Sequence, residues 1–266
     1  MTKVRNDVTY SMDGSVAVIT INRPESANAL SRSVREGLFA AWERFESSDE
    51  ARVAILTGAG QRAFCAGADL HEMAEESAGE PPEDFVPVLG ENVLVSKPTI
   101  AAVNGAAYAG GFLQVQMCDL AIASRTARFG ISEAKWGRGS PWVLPLFKMI
   151  PTRTIMELLL TAQPIDAQRA REVGFVNHVV EPSELMNSAL AMARTIAENA
   201  PLSLSAAKEM AKVARMEPDV EHARRRTKII YESVYRSEDA QIGPRAFREG
   251  TKPMWTAASK SLFTET

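Results

Sequence analysis

The order of segments along these 266 residues predicts an α/β core followed by an all-helical C-terminal module. Three observations carry that expectation. Short strand-like apolar runs and helix-period segments alternate up to about residue 180. From Pro182 onward every segment reads as helix. Apolar residues make up 45% of the chain, which supports a sizeable core and argues against disorder.

Taken along the chain, Val8–Ser11 and Val16–Ile21 are strand-like, and Met12-Asp13-Gly14-Ser15 between them is a hairpin signal. A polar loop, NRPESANAL, leads to a helix on which Val34, Leu38, Trp42 and Phe45 share one face. Ser31 or Ser33 can cap it, and Ser33 with Glu36 fits a capping box. Val53–Thr57 reads as a buried strand, and the acidic stretch 75–84, with Pro81-Pro82, as a mobile surface loop. Strand-like runs at 99–103 and 120–123 bracket a helical segment, Phe112–Cys118. Arg153–Leu160 is helical and is ended by Pro164. Asp166 caps a short helix that stops at Gly174, and Phe175–Val180 is a last strand. In the tail, breaks are expected near Pro201, Pro218 and Gly243-Pro244, and Leu185, Ala189, Met192 and Ile196 make one apolar face.

Composition excludes several classes. A net charge of −3 leaves no electrostatic footprint for nucleic acid. Two cysteines, Cys65 and Cys118, match no metal or redox spacing and predict a reduced, cytoplasmic setting. The first ten residues, MTKVRNDVTY, lack an apolar signal core, and no apolar run is long enough to span a bilayer. GAGQRA at Gly58–Ala63 follows a strand but opens no helix, so it reads as a turn rather than a dinucleotide fingerprint. His71, His178 and His222 are scattered, so no metal site is expected. No G-x-S-x-G elbow is present, and Cys65 reads as a small buried filler.

The chemistry concentrates in Pro98–Glu133 and in FCAGADL at Phe64–Leu70. FCAGADL and NGAAYAGG at Asn104–Gly111 are each strand-to-helix junctions of small residues. Such loops let backbone approach a ligand, and amides entering a helix lack intrahelical partners. Two junctions of this kind can aim two N–H groups at one carbonyl oxygen, and a single such donor is worth roughly 3 kcal/mol to a transition state. Glu133 is the carboxylate placed downstream for proton transfer.

On NRPESANALS, FCAGADLHEM, KPTIAAVNGAAYAGG, MCDLAIAS, ARFGISEAKWG, LLLTAQPIDAQRAREVGFVNHVV and GPRAFREGTKP, the chain resembles the crotonase (enoyl-CoA hydratase/isomerase) superfamily over nearly its whole length. The resemblance implies a spiral core of repeated ββα units over residues 1–200, and a helical module over 201–266 making a homotrimer or a dimer of trimers. It implies acyl-CoA thioester substrates, with no cofactor beyond the CoA of the substrate; some relatives also bind RNA, but the acidic balance argues against a nucleic-acid partner here, and the lack of a long apolar run argues against a membrane one. The thioester oxygen would sit between the amides of Ala68 and Gly110. Ala27, Ala66, Gly67, Asp69 and Leu70 would line the CoA groove, and Lys252 and Trp255 match tail positions that approach a CoA, often a neighbouring subunit's.

Two departures from the family pattern matter. Hydratases of the family hold water between two glutamates; the second aligns with Glu133, but the first falls on Leu113, which cannot activate water. After Glu133 the chain reads AKWGRGSPWVLP, with bulky Trp136 and Trp142 expected to reshape the acyl pocket, and no carboxylate before Pro145. One glutamate suffices to move a double bond from 3-enoyl to 2-enoyl. The sequence-level expectation is therefore an isomerase, with a hydratase or a silent acyl-CoA binder as alternatives.

Overall fold

A computed structural model describes residues 6–75 and 79–256. The chain opens with an antiparallel hairpin, β1 (Val8–Asp13) and β2 (Val16–Ile21), turning at Gly14, whose φ is +56°. After a 3-10 turn at Pro24–Ser26 comes α1 (Arg32–Ser47), then β3 (Val53–Gly58), β4 (Ala63–Cys65) and α2 (Leu70–Glu75). The next unit is β5 (Thr99–Val103), β6 (Ala106–Tyr108) and α3 (Gly110–Gln116). Then follow β7 (Leu120–Ser124) and β8 (Arg128–Gly130), 3-10 segments at Glu133–Trp136 and Pro141–Lys148, and α4 (Thr152–Thr161). β9 (Ile165–Asp166), α5 (Ala167–Glu172) and β10 (His178–Val180) close the core. The helices α6 (Leu185–Ala197), α7 (Pro201–Met216), α8 (Val220–Arg236) and α9 (Asp239–Glu249) follow.

The strands form a six-stranded sheet ordered β1-β2-β3-β5-β7-β10 and a four-stranded sheet ordered β4-β6-β8-β9. From β3 the chain lays one strand in the large sheet and the next in the small one: β3 and β4, β5 and β6, β7 and β8. That alternation is the spiral of ββα turns expected for a crotonase-like fold. Within each sheet these neighbours are parallel. Parallel strands covered on both faces need side chains that are apolar on both, and the large sheet meets that need with period two. Val16, Val53, Ile55, Ile100, Ala102 and Ile122 face α6. Ala17, Ile19, Ala54, Leu56, Ala101 and Val103 face the second core, shared with α1 and α3.

Several sequence expectations are refined by this arrangement. The cap of α1 is Ser31, whose hydroxyl accepts from the Val34 amide at 3.4 Å; Ser33 lies inside the helix and bonds Asp7, so no Ser33–Glu36 box forms. The central helix starts at Gly110, not Phe112. Asp166 caps α5 by accepting from the Arg169 amide at 2.8 Å. The last strand is confined to His178–Val180, where it pairs with β7. In α6 the buried face is Leu185, Ala189, Ala193 and Ala197, with Met192 and Ile196 flanking it. Gly243-Pro244 does not break the tail: both lie within α9, because a proline in the second turn removes one hydrogen bond without ending the helix. Of the acidic stretch 75–84, residues 76–78 lie outside the described residues.

Candidate active site

The small sheet positions the site. β4, β6 and β8 are parallel neighbours, so their C-terminal ends share one edge. Just beyond those three ends come Ala68, Gly110 and Glu133 respectively. The register pairs Cys65 with Ala107, and Tyr108 with Gly130. The Ala109 amide then donates to the Gly130 carbonyl at 2.9 Å, holding the entry to α3 against the exit of β8.

Steric contacts show how closely the first two segments abut. Gly67 has φ +92°, and a Cβ there would lie 2.9 Å from the Ala109 Cβ and 3.3 Å from the Gly110 nitrogen. A Cβ on Gly110 would lie 3.9 Å from the Ala68 nitrogen. At Gly111 it would fall 2.0 Å from the Cys65 carbonyl oxygen, so only glycine allows α3 to seat on β4. Ala109 itself takes φ 50°, ψ −120°, a conformation rare for a residue with a side chain, and this turns the chain so that α3 begins at Gly110. Among the described residues, neither the Ala68 nor the Gly110 amide makes any of the loop, turn or cap hydrogen bonds. Two unpaired N–H groups on abutting segments can serve one oxygen.

The loop before α1 completes one wall. Ala66 donates to the Ala27 carbonyl at 3.1 Å, Leu30 donates to the Gly67 carbonyl at 2.8 Å, and Leu30 and Ala68 form an isolated parallel bridge. Arg23 bonds Asp69 at 3.1 Å. Thus Ala27, Ala66, Gly67, Ala68 and Asp69 are brought together, with half-exposed Leu70 opening α2. Asn28, fully buried, accepts from the Arg23 amide and donates to the Ala59 and Ala63 carbonyls, which fixes this loop on the β3–β4 connection.

Glu133 begins the 3-10 turn after β8. Its Oε1 accepts from the Trp142 indole N–H at 2.8 Å, while Oε2 is buried with no hydrogen-bond partner. Burial raises its pKa above the ordinary carboxylate value; its own amide, the Trp142 N–H and the Ser132 amide oppose that in smaller measure. Trp142 packs on Phe112 of α3 with ring centroids 5.9 Å apart, and Phe112 stacks on Phe175 at 4.4 Å. Leu113 is buried beside Phe112 and is uncharged. Both thiols are buried, with Cys65 pushed up to about 12 by desolvation, so neither is a nucleophile.

The remaining sequence candidates sit apart. Trp136 is 62% exposed on the turn that Glu133 starts. Lys252 and Trp255 both contact Glu198 just beyond α6, at 3.9 Å and 2.8 Å, and Trp255 lies against Gly243 of α9. Sequence reasoning gave Trp142 to the acyl pocket and did not foresee its bond to Glu133. Nor did it foresee that Gln116 donates to the Trp142 carbonyl at 3.1 Å. Both contacts span an irregular segment with no periodicity to read.

Comparison with known proteins agrees with this fold. The family model described as "Enoyl-CoA hydratase/isomerase" matches residues 11–258. The carnitinyl-CoA dehydratases of Salmonella typhi and Salmonella agona are each 39% identical over 253 residues, covering 91% of this chain and 95% of the relative. Solved structures named enoyl-CoA hydratase, from Mycobacterium marinum and Mycobacterium tuberculosis, superpose with a TM-score of 0.86 at 33% and 34% identity. In both cases the match covers 96% of this chain and 100% of the other. Fold and sequence agree, and the chain belongs to the enoyl-CoA hydratase/isomerase family of the crotonase superfamily.

Proposed function

We propose that this protein shifts the double bond of a 3-enoyl-CoA to the 2-position through an enolate, using Glu133 as its one acid/base. The thioester oxygen is held by the Ala68 and Gly110 amides, an oxyanion hole in which charge developing on oxygen meets two fixed donors. That interaction lowers the barrier to removing the C2 proton, which Glu133 Oε2 takes and returns to C4. No atom is gained or lost, and CoA enters only as part of the substrate.

The observation that carries this reading is the absence of a carboxylate from α3. α3 reads GGFLQVQ, with no acid to face Glu133. Leu113 stands where a water-activating glutamate would be needed, and the amides of Gln114 and Gln116 cannot act as bases. Raised by burial, Glu133 titrates nearer to neutral pH than a free carboxylate, which suits a group that must both take and return a proton.

A second reading, hydration or dehydration, is favoured by the names of the relatives: dehydratases at 39% identity and hydratases among the solved structures. Side-by-side assay of 3-enoyl-, 2-enoyl- and 3-hydroxyacyl-CoA separates the two. Isomerisation should be fastest, and Glu133→Gln should lower it by about a thousandfold while CoA binding persists. Faster hydration of 2-enoyl-CoA would replace the isomerase reading, and full turnover in Glu133→Gln would remove Glu133 from the chemistry. The exposed apolar side chains of the helical tail support assembly into a trimer or a dimer of trimers, with Lys252 and Trp255 reaching a neighbour's CoA. A cytoplasmic setting fits both buried free thiols, and no helix among the described residues is long and apolar enough to cross a membrane.

A further inference from the structure

We propose that Trp142 is a positioning residue for proton transfer: its indole N–H holds Glu133 Oε1 and thereby leaves Oε2 as the oxygen that meets the substrate. The proposal rests on Glu133 being the acid/base.

Trp142 is fixed at three points. Its N–H donates to Glu133 at 2.8 Å, its ring lies 5.9 Å from that of Phe112, and its carbonyl accepts from Gln116 at 3.1 Å. Two of those partners belong to α3, the helix that starts at Gly110. The ring therefore ties the carboxylate to the same short helix whose first amide faces the thioester oxygen. A carboxylate free to rotate would present either oxygen at varying angles. With Oε1 occupied, Oε2 is fixed, buried and unpartnered. A one-base reaction needs one oxygen to reach two carbons in turn, so a fixed carboxylate favours it.

The indole also sets when the group is charged. An N–H donated to a carboxylate favours the ionised form, opposing burial. The charged groups on the surrounding elements are engaged elsewhere or exposed. Arg138 reaches the Gly79 carbonyl, Arg128 the Ala127 carbonyl and Lys148 the Arg215 carbonyl, while Lys135 is exposed. Asp69 pairs with Arg23, Glu72 with Arg35, and α3 carries no charge. The shift of Glu133 has no contribution from any of them. Removing the indole donor thus raises the pKa of Glu133 further, and activity that needs the ionised base is lost at a higher pH than in the unaltered enzyme.

The test uses the full-length enzyme with whichever of 3-enoyl- and 2-enoyl-CoA it turns over faster. Trp142→Phe removes the N–H and keeps a ring on Phe112. Replacement of Trp142 by benzothienylalanine removes only the N–H and keeps the shape, so it decides the matter if the phenylalanine variant fails to fold. In both, the acid limb of kcat/KM should move up by about one pH unit, kcat should fall and KM should change little. In the unaltered enzyme, a tryptophan absorption difference should titrate with that same limb and vanish in Glu133→Gln. An unmoved acid limb, or no such spectral titration, overturns the role of Trp142. Full activity in Glu133→Gln would instead overturn the one-carboxylate reading beneath it.

Discussion

Gly110 contributes to the site through the absence of a side chain. A methyl group there would meet the Leu30 Cδ1 at 2.8 Å and stand 3.9 Å from the Ala68 nitrogen. The first clash is with the far end of a side chain that can turn away; the second is an ordinary van der Waals distance that puts a methyl beside the Ala68 amide. Gly110→Ala should therefore lower kcat by about a hundredfold, the loss seen when one oxyanion donor is removed, while the melting temperature drops by only a few degrees. Thermal unfolding and steady-state kinetics on the same preparation check this, and equal losses in both would make Gly110 a packing residue. The small-residue junctions around Ala68 and Gly110 were legible in the sequence because two of them occur in one chain, whereas either alone reads as a packing junction. The strained Ala109 was not legible, because alanine gives no sign that its backbone has left the ordinary regions.

Among the elements, α1 shows how a site wall is anchored. Its buried stripe of Val34, Leu38, Trp42 and Phe45 follows directly from periodicity. Its C-terminal end does not. Buried Lys97, 52 positions beyond Phe45 in the chain, sends its ammonium to the Phe45 carbonyl at 2.9 Å and to the Ser48 carbonyl. A cation at that end satisfies orphan carbonyls and the helix dipole together. Lys97→Met should cost about 2 kcal/mol, since buried acceptors lose a charged donor, and denaturant unfolding monitored by circular dichroism measures it. No sequence rule links a lysine before a strand to the end of a distant helix. For the same reason the Trp142–Glu133 bond was invisible: tertiary contacts between irregular segments leave no local signature.

Across the protein, the tail is where the fold and its surface disagree. α8 buries none of its residues, and Phe247, Tyr235, Val220 and Ile229 on α8 and α9 are 90%, 75%, 68% and 67% exposed. These exposed apolar side chains are what the assembly proposed above would cover. Light scattering coupled to gel filtration should give a mass three or six times that of one chain, and Phe247→Glu should lower it; a monomer at micromolar concentration would refute the assembly. α7 is nonetheless tied to the core, for Lys208 bonds Asp119, which also accepts from the Thr99 amide, each at 2.8 Å. The α/β-then-helical order was readable from the alternation of strand-like and helix-period segments and the all-helical pattern after Pro182. The four-stranded sheet was not, because β4, β6, β8 and β9 are only two or three residues long, too short to show a period, and none of them was among the strands read from the sequence.

The two halves of the site are built from different materials. In the function proposed above, peptide N–H groups would grip the substrate, and these persist under almost any substitution that keeps the backbone path between Gly67 and Gly111. The proton-handling half is a side chain with its tryptophan neighbour, open to replacement one codon at a time. A lineage that inherits such a scaffold can lose or regain a carboxylate at position 113 without rebuilding the grip, and so can change its reaction while keeping its thioester.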